Sequence, residues 1–202
     1  MAQEIMRRAI TPVLVTESVA IRDALDRILA VDVLSPIDVP AHDNSAMDGY
    51  ALRGSDLGGD SVTLKLVGSA MAGAPFDGRI EPGECIRIMT GAMMPDGLDT
   101  VVPQELTDTT DAGVTIPAGQ KTGQHRRHKG EDLAAGKAAL KAGKRISPAD
   151  LGLLASLGLA EVTVRRRVRV AFFSSGDELR SIGEPLAPGQ IYDSNRYTIY
   201  GM

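Results

Sequence analysis

Hydrophobic positions near the start of the chain follow a helical spacing. They recur at intervals of three and four residues, with charged residues between them, at Ile21, Ala24, Leu25, Ile28 and Leu29. Thr16 precedes this run, and its hydroxyl is suited to cap a helix N-terminus. We therefore predict an amphipathic helix that begins after Thr16.

The pattern changes at Val31, where prolines begin to interrupt short apolar runs at residues 62–67, 85–89 and 100–102. Proline at this density excludes long helices. Turn-forming pairs lie between the runs, for example Pro82-Gly83 and Asp96-Gly97. We predict a β-rich module that continues to about residue 145.

A second helix is predicted where Ser147 precedes Pro148 and Asp150. A capping serine, proline at the first helical position and an acid at the third are typical of a helix start, and Gly158 is suited to end it. Residues 161–165 then predict a short strand.

The apolar run at residues 168–173 predicts a further strand, buried on both faces as in a parallel sheet. It leads into Ser174-Ser175-Gly176-Asp177-Glu178, and ligands bind beyond the carboxyl ends of such strands. A helix start is predicted after residues 192–196. One strand and one helix start cannot close an α/β core, so we expect the chain to be the front part of a longer protein.

Composition narrows the function classes. Aromatic residues make up 3% of the 202 residues and tryptophan is absent, which disfavours stacking platforms for single-stranded nucleic acid. The one cysteine, Cys85, forms no internal disulfide and lies in an apolar strand pattern, which favours an inert core residue. No apolar stretch is long enough to span a membrane, so we expect a cytoplasmic protein without membrane contacts.

Charge is distributed unevenly along the chain. Residues 1–120 carry 18 acidic and 8 basic side chains, whereas residues 121–202 carry 8 acidic and 14 basic ones. An acidic module followed by a basic module could face an anion. The basic residues at 125–129 alternate with nearby acids, which is typical of a solvated face, and His125 and His128 lack the helix that a metal pair at this spacing requires.

Four segments carry candidate chemistry, and each has a plain alternative. Residues 43–51 combine carboxylates, an amide and a hydroxyl with small residues that allow close approach of a ligand, or they form an Asx-type turn. Thr90-Gly91 could hold a phosphate or be a turn. Asp132 belongs to a run of alternating charges that is typical of a solvated face, whereas Asp177-Glu178 could hold Mg²⁺ or lie in a turn.

Taken in order, five segments closely resemble one family. They are residues 39–51 (VPAHDNSAMDGYA), 87–92 (RIMTGA), 129–132 (KGED), 155–158 (ASLG) and 173–179 (FSSGDEL). This set resembles the MoeA family, the molybdopterin molybdenumtransferases that include the gephyrin E domain. The resemblance runs from about Val15 to the last residue, and Ser175 stands where threonine is common in that family.

The resemblance implies an α+β fold class, with an elongated multi-domain chain. A helical and extended domain (residues 1–31 and 143–167) would be interrupted by a β-rich domain (32–142). Residues 168–202 would begin an α/β molybdopterin-binding domain. The family's cofactor site lies between the α/β domain of one subunit and the β-rich domain of the other, so a homodimer is implied.

The same resemblance implies a role in molybdenum cofactor biosynthesis. The family takes adenylylated molybdopterin and molybdate, releases AMP and leaves molybdenum on the dithiolene, assisted by Mg²⁺. It implies Asp48, Thr90, Asp132 and Glu178 as catalytic residues, with Asp48 and Glu178 as metal ligands. The implied cofactor-binding residues are Ser175, Asp177, Asp193, Ser194 and Asn195.

The resemblance also implies a molybdopterin adenylyltransferase as a partner. The family's basic residues for the anions lie mostly beyond Met202, so we expect this chain alone to be inactive. Two alternatives stay open: a non-catalytic dimeric assembly module of the gephyrin type, and nucleic-acid binding through residues 121–129 and 165–169, which the composition disfavours.

Overall fold

The fold of the chain is mixed and rich in short strands. The structure is a computed structural model that describes residues 2–202. The helices are α1 (Ala2–Ala9), α2 (Pro148–Ser156) and α3 (Ser194–Gly201). Short 3-10 helices cover Ile21–Asp23, Gly54–Asp56 and Gln104–Leu106. No helix among residues 2–202 is both long enough and apolar enough to span a bilayer.

Fourteen strands complete the secondary structure of the described chain. They are β1 (Thr16–Ala20), β2 (Val33–Leu34), β3 (Asn44–Ser45), β4 (Gly49–Leu52), β5 (Val62–Ala70), β6 (Glu84–Ile88), β7 (Thr100–Pro103), β8 (Asp108–Thr110), β9 (Gly113–Ile116), β10 (Arg126–Arg127), β11 (Ala138–Leu140), β12 (Glu161–Arg165), β13 (Leu179–Arg180) and β14 (Ile191–Tyr192).

The chain divides into two compact units. The larger unit is Thr16–Arg165, and the smaller one combines the N-terminal segment up to Val15 with Arg166–Met202. The larger unit contains a six-stranded sheet in the order β7-β4-β6-β5-β9-β8, together with the small pairs β1-β12, β3-β10 and β2-β11. The predicted strand-rich character of this region is therefore confirmed.

Side chains along the central strands point alternately to the two faces of the six-stranded sheet, and apolar residues are buried on both faces. In β6, Cys85 packs into one apolar cluster while Ile86 and Ile88 pack into the other, and all three are fully buried. In β7, Val101 and Val102 divide in the same way. Burial raises the pKa of the Cys85 thiol to about 12, which confirms the prediction of an inert core cysteine.

The predicted helix after Thr16 is wrong. Residues 16–20 form β1, which pairs antiparallel with β12. The segment after it forms only a short 3-10 turn, and its later amides donate to distant strands and loops: Leu29 N to Lys144 O (2.9 Å) and Ala30 N to Thr163 O (3.0 Å). Asp26 has a φ of +62°, which no α-helical residue adopts. The helical spacing arose because successive tight turns return Ala24 and Leu29 to one buried cluster.

The prediction of α2 is confirmed in detail. Ser147 Oγ accepts from Asp150 N, and the Asp150 carboxylate accepts from Ser147 N at 2.8 Å, which completes a capping box. Gly158 follows the helix with a φ of +73°, a conformation that glycine adopts without strain. The predicted strand at 161–165 is β12. The helix predicted after residues 192–196 is α3, which begins earlier, at Ser194.

The strand predicted at residues 168–173 is absent. No described strand pairs with this segment, and its side chains are exposed, including Val170 (75%) and Phe173 (90%). A strand exists only through hydrogen bonds to a neighbour, and the smaller unit offers this segment none. That unit contains instead the short parallel pair of β13 and β14.

Candidate functional site

Asp48 and Thr90 meet at one end of the six-stranded sheet. Asp48 immediately precedes β4 and Thr90 follows β6, and these strands pair antiparallel with Gly49 opposite Ile88. Asp48 Oδ1 accepts from Thr90 Oγ1 at 2.7 Å and from Thr90 N at 2.8 Å. Asp48 Oδ2 accepts no hydrogen bond from any described residue. Two of the predicted catalytic residues are therefore in direct contact.

The electrostatic setting of Asp48 keeps its carboxylate charged. The hydrogen bond from the Thr90 hydroxyl lowers the pKa of Asp48, and the Thr90 amide and the positive charge of Arg87 lower it further. A general base works best with a pKa near the working pH, so a lowered pKa disfavours that role. An ionised carboxylate with one free oxygen is suited to bind a cation or to orient water.

Gly49 explains how the backbone at Asp48 is held. A Cβ at this position would collide with the carbonyl oxygen of Val102 on the neighbouring strand β7. The absence of a side chain allows the strands to approach closely, and Gln104 N donates to Asp48 O at 3.1 Å on the same side. The position of Asp48 is therefore fixed by strand pairing and not by a mobile loop.

Three of the motif segments converge beside this pair. Strand β3 pairs antiparallel with β10, which joins the segment at residue 44 to the one at residue 126. Gly91 N donates to Ser45 O (2.8 Å), and Ser45 N donates to Ala92 O (3.0 Å). Segments that are far apart in sequence thus share one hydrogen-bonded region of the larger unit.

Asp43 fixes one of these loops. Its Oδ2 accepts from both Nε (2.8 Å) and Nη2 of Arg126, and its Oδ1 accepts from Lys129 N at 2.7 Å. The Lys129 amide, followed by the Arg126 guanidinium, lowers the pKa of Asp43. This contact is a structural role that the sequence did not reveal.

The third predicted catalytic residue, Asp132, lies in the loop after β10 and is half-exposed. Its Oδ1 is 2.6 Å from Nη2 of Arg127. Nε of the same arginine lies 2.8 Å from Glu131 Oε1. A carboxylate paired in this way is held in position but is partly neutralised. Asp132 is therefore available to a ligand only beside a cation.

Pairing also accounts for much of the basic run at residues 125–129. Arg126 pairs with Asp43, Arg127 with Asp132, and Lys129 with Asp38 (3.4 Å). These contacts support the solvated-face interpretation of the run. His125 and His128 lie on either side of β10 and not on a helix.

In the smaller unit, the predicted site residues lie around the pair β13-β14. Ser175 and Asp177 are exposed, and Glu178 immediately precedes β13, with its backbone oxygen accepting from Ile191 N at 2.8 Å. The Glu178 carboxylate folds back toward Gly176, where a Cβ would lie 2.5 Å from Glu178 Oε2.

Asp193 follows β14 and is 4% exposed. It caps α3 by accepting from Arg196 N at 3.1 Å, and its Oδ2 lies 3.1 Å from Arg196 Nε without hydrogen-bond alignment. A hydrogen bond from the Ser174 side chain, followed by the Arg196 amide, lowers its pKa. Ser194 and Asn195 are the first residues of α3 and are exposed. Asp193 thus has a clear capping role in the fold.

The residues present fit a Mg²⁺ ion held largely by its substrate. Mg²⁺ is usually bound through one or two carboxylates together with phosphate and water oxygens. Asp48 offers one unpartnered carboxylate oxygen to such an ion. No cluster of three or more potential metal ligands occurs among residues 2–202, so a metal cage made only of side chains of this chain is not indicated there.

Sequence reasoning gave no role to Arg87, Tyr50 and Gln104, which contact one another next to the strand end that carries Asp48. The Arg87 guanidinium lies over the Tyr50 ring, 5.2 Å from its centroid, and donates to Gln104 Oε1. Tyr50 OH is 2.9 Å from Thr109 Oγ1. The available signal was the charge of Arg87 between the apolar residues Ile86 and Ile88, which are both buried.

Two open grooves lie in the larger unit. One of about 300 Å³ borders the converging loops and is lined by residues including His42, Asp43, Arg126 and Lys129. The other, of about 500 Å³, is lined by residues 75–81 and 93–96 together with Arg53. Neither groove is lined by Asp48 or Thr90, so groove volume alone does not identify the site.

Comparison with known proteins identifies the family. Residues 1–158 match the family described as the MoeA N-terminal region (domain I and II). A molybdopterin molybdenumtransferase of Haemophilus influenzae is 47% identical over 185 residues, which are 91% of this chain and 46% of that protein. Molybdopterin molybdenumtransferase 2 of Mycobacterium tuberculosis is 43% identical over 194 residues, 94% of this chain and 47% of the relative.

Solved structures give the same result. Two crystal structures of the MoeA protein of molybdopterin biosynthesis from Pyrococcus horikoshii superpose with TM-scores of 0.84 and 0.89, at 34% and 28% identity. The two superpositions span 96% and 98% of this chain, and 51% and 54% of the respective Pyrococcus chains. The chain spans about half the length of the curated relatives it matches. This chain belongs to the MoeA family, and its matched region is the family's N-terminal part.

Proposed function

We propose that this chain supplies the N-terminal half of a molybdopterin molybdenumtransferase, which inserts molybdate into adenylylated molybdopterin with release of AMP. The observation that carries the proposal is the contact between Asp48 and Thr90, which belong to two separate family motifs. Relatives bearing the transferase name at 43% and 47% identity support the same reaction.

In this proposal the Thr90 hydroxyl donates its hydrogen bond to Asp48 and so orients that carboxylate, and it does not donate to a phosphate oxygen. Both of its donors, the amide and the hydroxyl, are already used on Asp48 Oδ1. The carboxylate is thereby kept ionised with Oδ2 free. Asp48 would then orient water for attack on phosphorus, or help to hold a Mg²⁺ ion that neutralises the phosphate charge.

Mg²⁺ supplies charge neutralisation at the diphosphate when it is bound. We propose that Asp48 and Glu178 hold the Mg²⁺ ion. Asp132, which Arg127 holds in place, would help to position the substrate at the edge of the site. The predicted pterin-side residues Ser175, Asp177, Asp193, Ser194 and Asn195, the homodimer and the adenylyltransferase partner remain part of the proposal. So does the cytoplasmic location.

The test is an assay of the full-length protein with adenylylated molybdopterin, molybdate and Mg²⁺, in which AMP is quantified by chromatography. We expect AMP release that requires both molybdate and Mg²⁺. Folded protein that releases no AMP would refute the transferase assignment and favour an assembly module. The 202-residue chain, assayed in parallel, is expected to release none.

A further inference from the structure

Carboxylates alone do not explain how a site around Asp48 would accept an anionic substrate. Asp48 is ionised, and both molybdate and a diphosphate carry negative charge, so the groups repel unless a cation intervenes. A positively charged side chain of this chain beside Asp48 would offset that repulsion. Arg87 is such a side chain.

Arg87 is placed by the sheet on the same side as Asp48. Tyr50 lies directly opposite Arg87 in the β4-β6 ladder, and their side chains stack. Asp48 immediately precedes β4, and Gln104, whose side chain accepts from Arg87, donates its backbone N–H to Asp48 O at 3.1 Å. The charge of Arg87 is close enough to act on Asp48.

Arg87 is also fixed and not neutralised. The Tyr50 ring supports its guanidinium, and Gln104 Oε1 accepts one of its N–H groups. Arg87 forms no ion pair with a carboxylate of any described residue, in contrast to Arg126 and Arg127 nearby. A guanidinium has five donors, so most of them stay available.

We propose that Arg87 is a substrate-binding residue that donates hydrogen bonds to a tetrahedral oxyanion beside the Asp48–Thr90 pair. The oxyanion is either molybdate or a phosphate group of the nucleotide. The inference deepens the proposed function and rests on it for the identity of the anion. Gln104 and Tyr50 act as positioning residues that orient the guanidinium fork.

The experiment measures anion binding by the 202-residue chain, without turnover, by calorimetry with molybdate and with AMP as separate probes. Arg87→Gln removes the charge, and Arg87→Lys keeps the charge but loses the planar guanidinium group. The control is Lys65→Gln, which removes a positive charge from the ion pair between Lys65 and Glu84. We expect Arg87→Gln to weaken binding of one anion by about tenfold or more. Lys65→Gln should leave binding unchanged, and Arg87→Lys should lie between.

The two probes distinguish the sources of the oxyanion. Loss of molybdate affinity alone assigns Arg87 to molybdate, and loss of AMP affinity alone assigns it to phosphate. Gln104→Leu, which retains the Arg87 charge, should weaken binding of the same anion. Equal affinities for wild type and Arg87→Gln, or a wild type that binds neither anion, would overturn the inference. Arg87-dependent anion binding by this chain, together with no AMP release from the folded full-length protein, would refute the transferase proposal alone.

Discussion

The two oxygens of the Asp48 carboxylate have different surroundings. Oδ1 is occupied by the amide and the hydroxyl of Thr90, while Oδ2 faces no described donor. Because both Thr90 donors converge on one oxygen, the carboxylate is oriented as well as kept ionised. The account therefore assigns Thr90 to orientation and Asp48 to contact with the substrate or its metal.

Replacement of the Thr90 hydroxyl tests this division. Thr90→Val removes the 2.7 Å hydrogen bond to Asp48, whereas Thr90→Ser retains a hydroxyl. In the full-length protein we expect Thr90→Val to lower kcat by roughly tenfold or more and Thr90→Ser to have a small effect. AMP release at saturating substrate measures kcat, and equal rates for the two variants would contradict the orienting role.

Residue-level prediction from sequence reaches residues inside motifs and does not reach residues whose contacts depend on the fold, and the catalytic roles of Asp48 and Thr90 stay predictions. Asp48 and Thr90 could be selected because their motifs resemble a family. The contacts of Asp43 and Arg87 could not, because they join residues far apart in sequence: Asp43 lies 83 positions from Arg126. Such a role becomes visible only after the strands are paired.

At the scale of elements, α2 shows how local signals suffice. Ser147, Pro148 and Asp150 define the start of the helix without help from the rest of the chain. The segment after Thr16 shows the opposite, because its hydrogen bonds go to residues 144, 146 and 163. Pairing of β1 with β12 outweighed a helical spacing that no local cap enforced.

The cap of α2 predicts a specific pH dependence. Hydrogen bonds from Lys144 and then from Ser147 hold the pKa of Asp150 at about 2, below the unfolded value of about 3.9. The folded state therefore gains stability above pH 4, and this gain is lost as pH falls toward 2. Asp150→Asn should lower the free energy of unfolding by about 2 kcal/mol at neutral pH.

Urea unfolding of the two proteins between pH 2 and pH 7 measures this effect. The difference between wild type and Asp150→Asn should narrow as pH falls from 4 to 2. Asp60→Asn, at an exposed carboxylate without a described partner, is the matched control and should show little difference. A difference that is constant with pH would contradict the assignment.

The loop after β10 depends on Asp43. Asp43→Ala removes the acceptor for Arg126 and for the Lys129 amide, whose hydrogen bond is 2.7 Å. We expect faster hydrogen exchange at Lys129 and loss of about 1–3 kcal/mol of stability, the usual cost of leaving a charged partner unpaired. Asp60→Ala serves as the control, and unchanged exchange at Lys129 in Asp43→Ala would refute this role.

At the scale of the molecule, the sequence predicted the β-rich module but not the state of the segment at residues 168–173. Its apolar run resembles a buried parallel strand, yet the described chain provides no neighbour for it. The core of the larger unit, in contrast, is complete within residues 16–165, where both faces of the sheet are covered. The three-domain partition, with boundaries at 31/32, 142/143 and 167/168, remains a prediction.

The relation to longer relatives sets the scope of the functional proposal. This chain matches about half of each relative, and the larger unit contains the Asp48–Thr90 contact. If the proposal is correct, substitutions in the larger unit alone must change turnover of the full-length protein. Asp48 is the position where this dependence should be strongest.

The most direct measurement is the rate of molybdate-dependent AMP release by the full-length protein with Asp48→Asn, which removes the charge and keeps the shape. The account predicts a rate lower by roughly tenfold or more, with unchanged thermal stability of the fold and a normal rate for the control Asp60→Asn. A folded Asp48→Asn protein that releases AMP at the wild-type rate would contradict the assignment of Asp48 to the site.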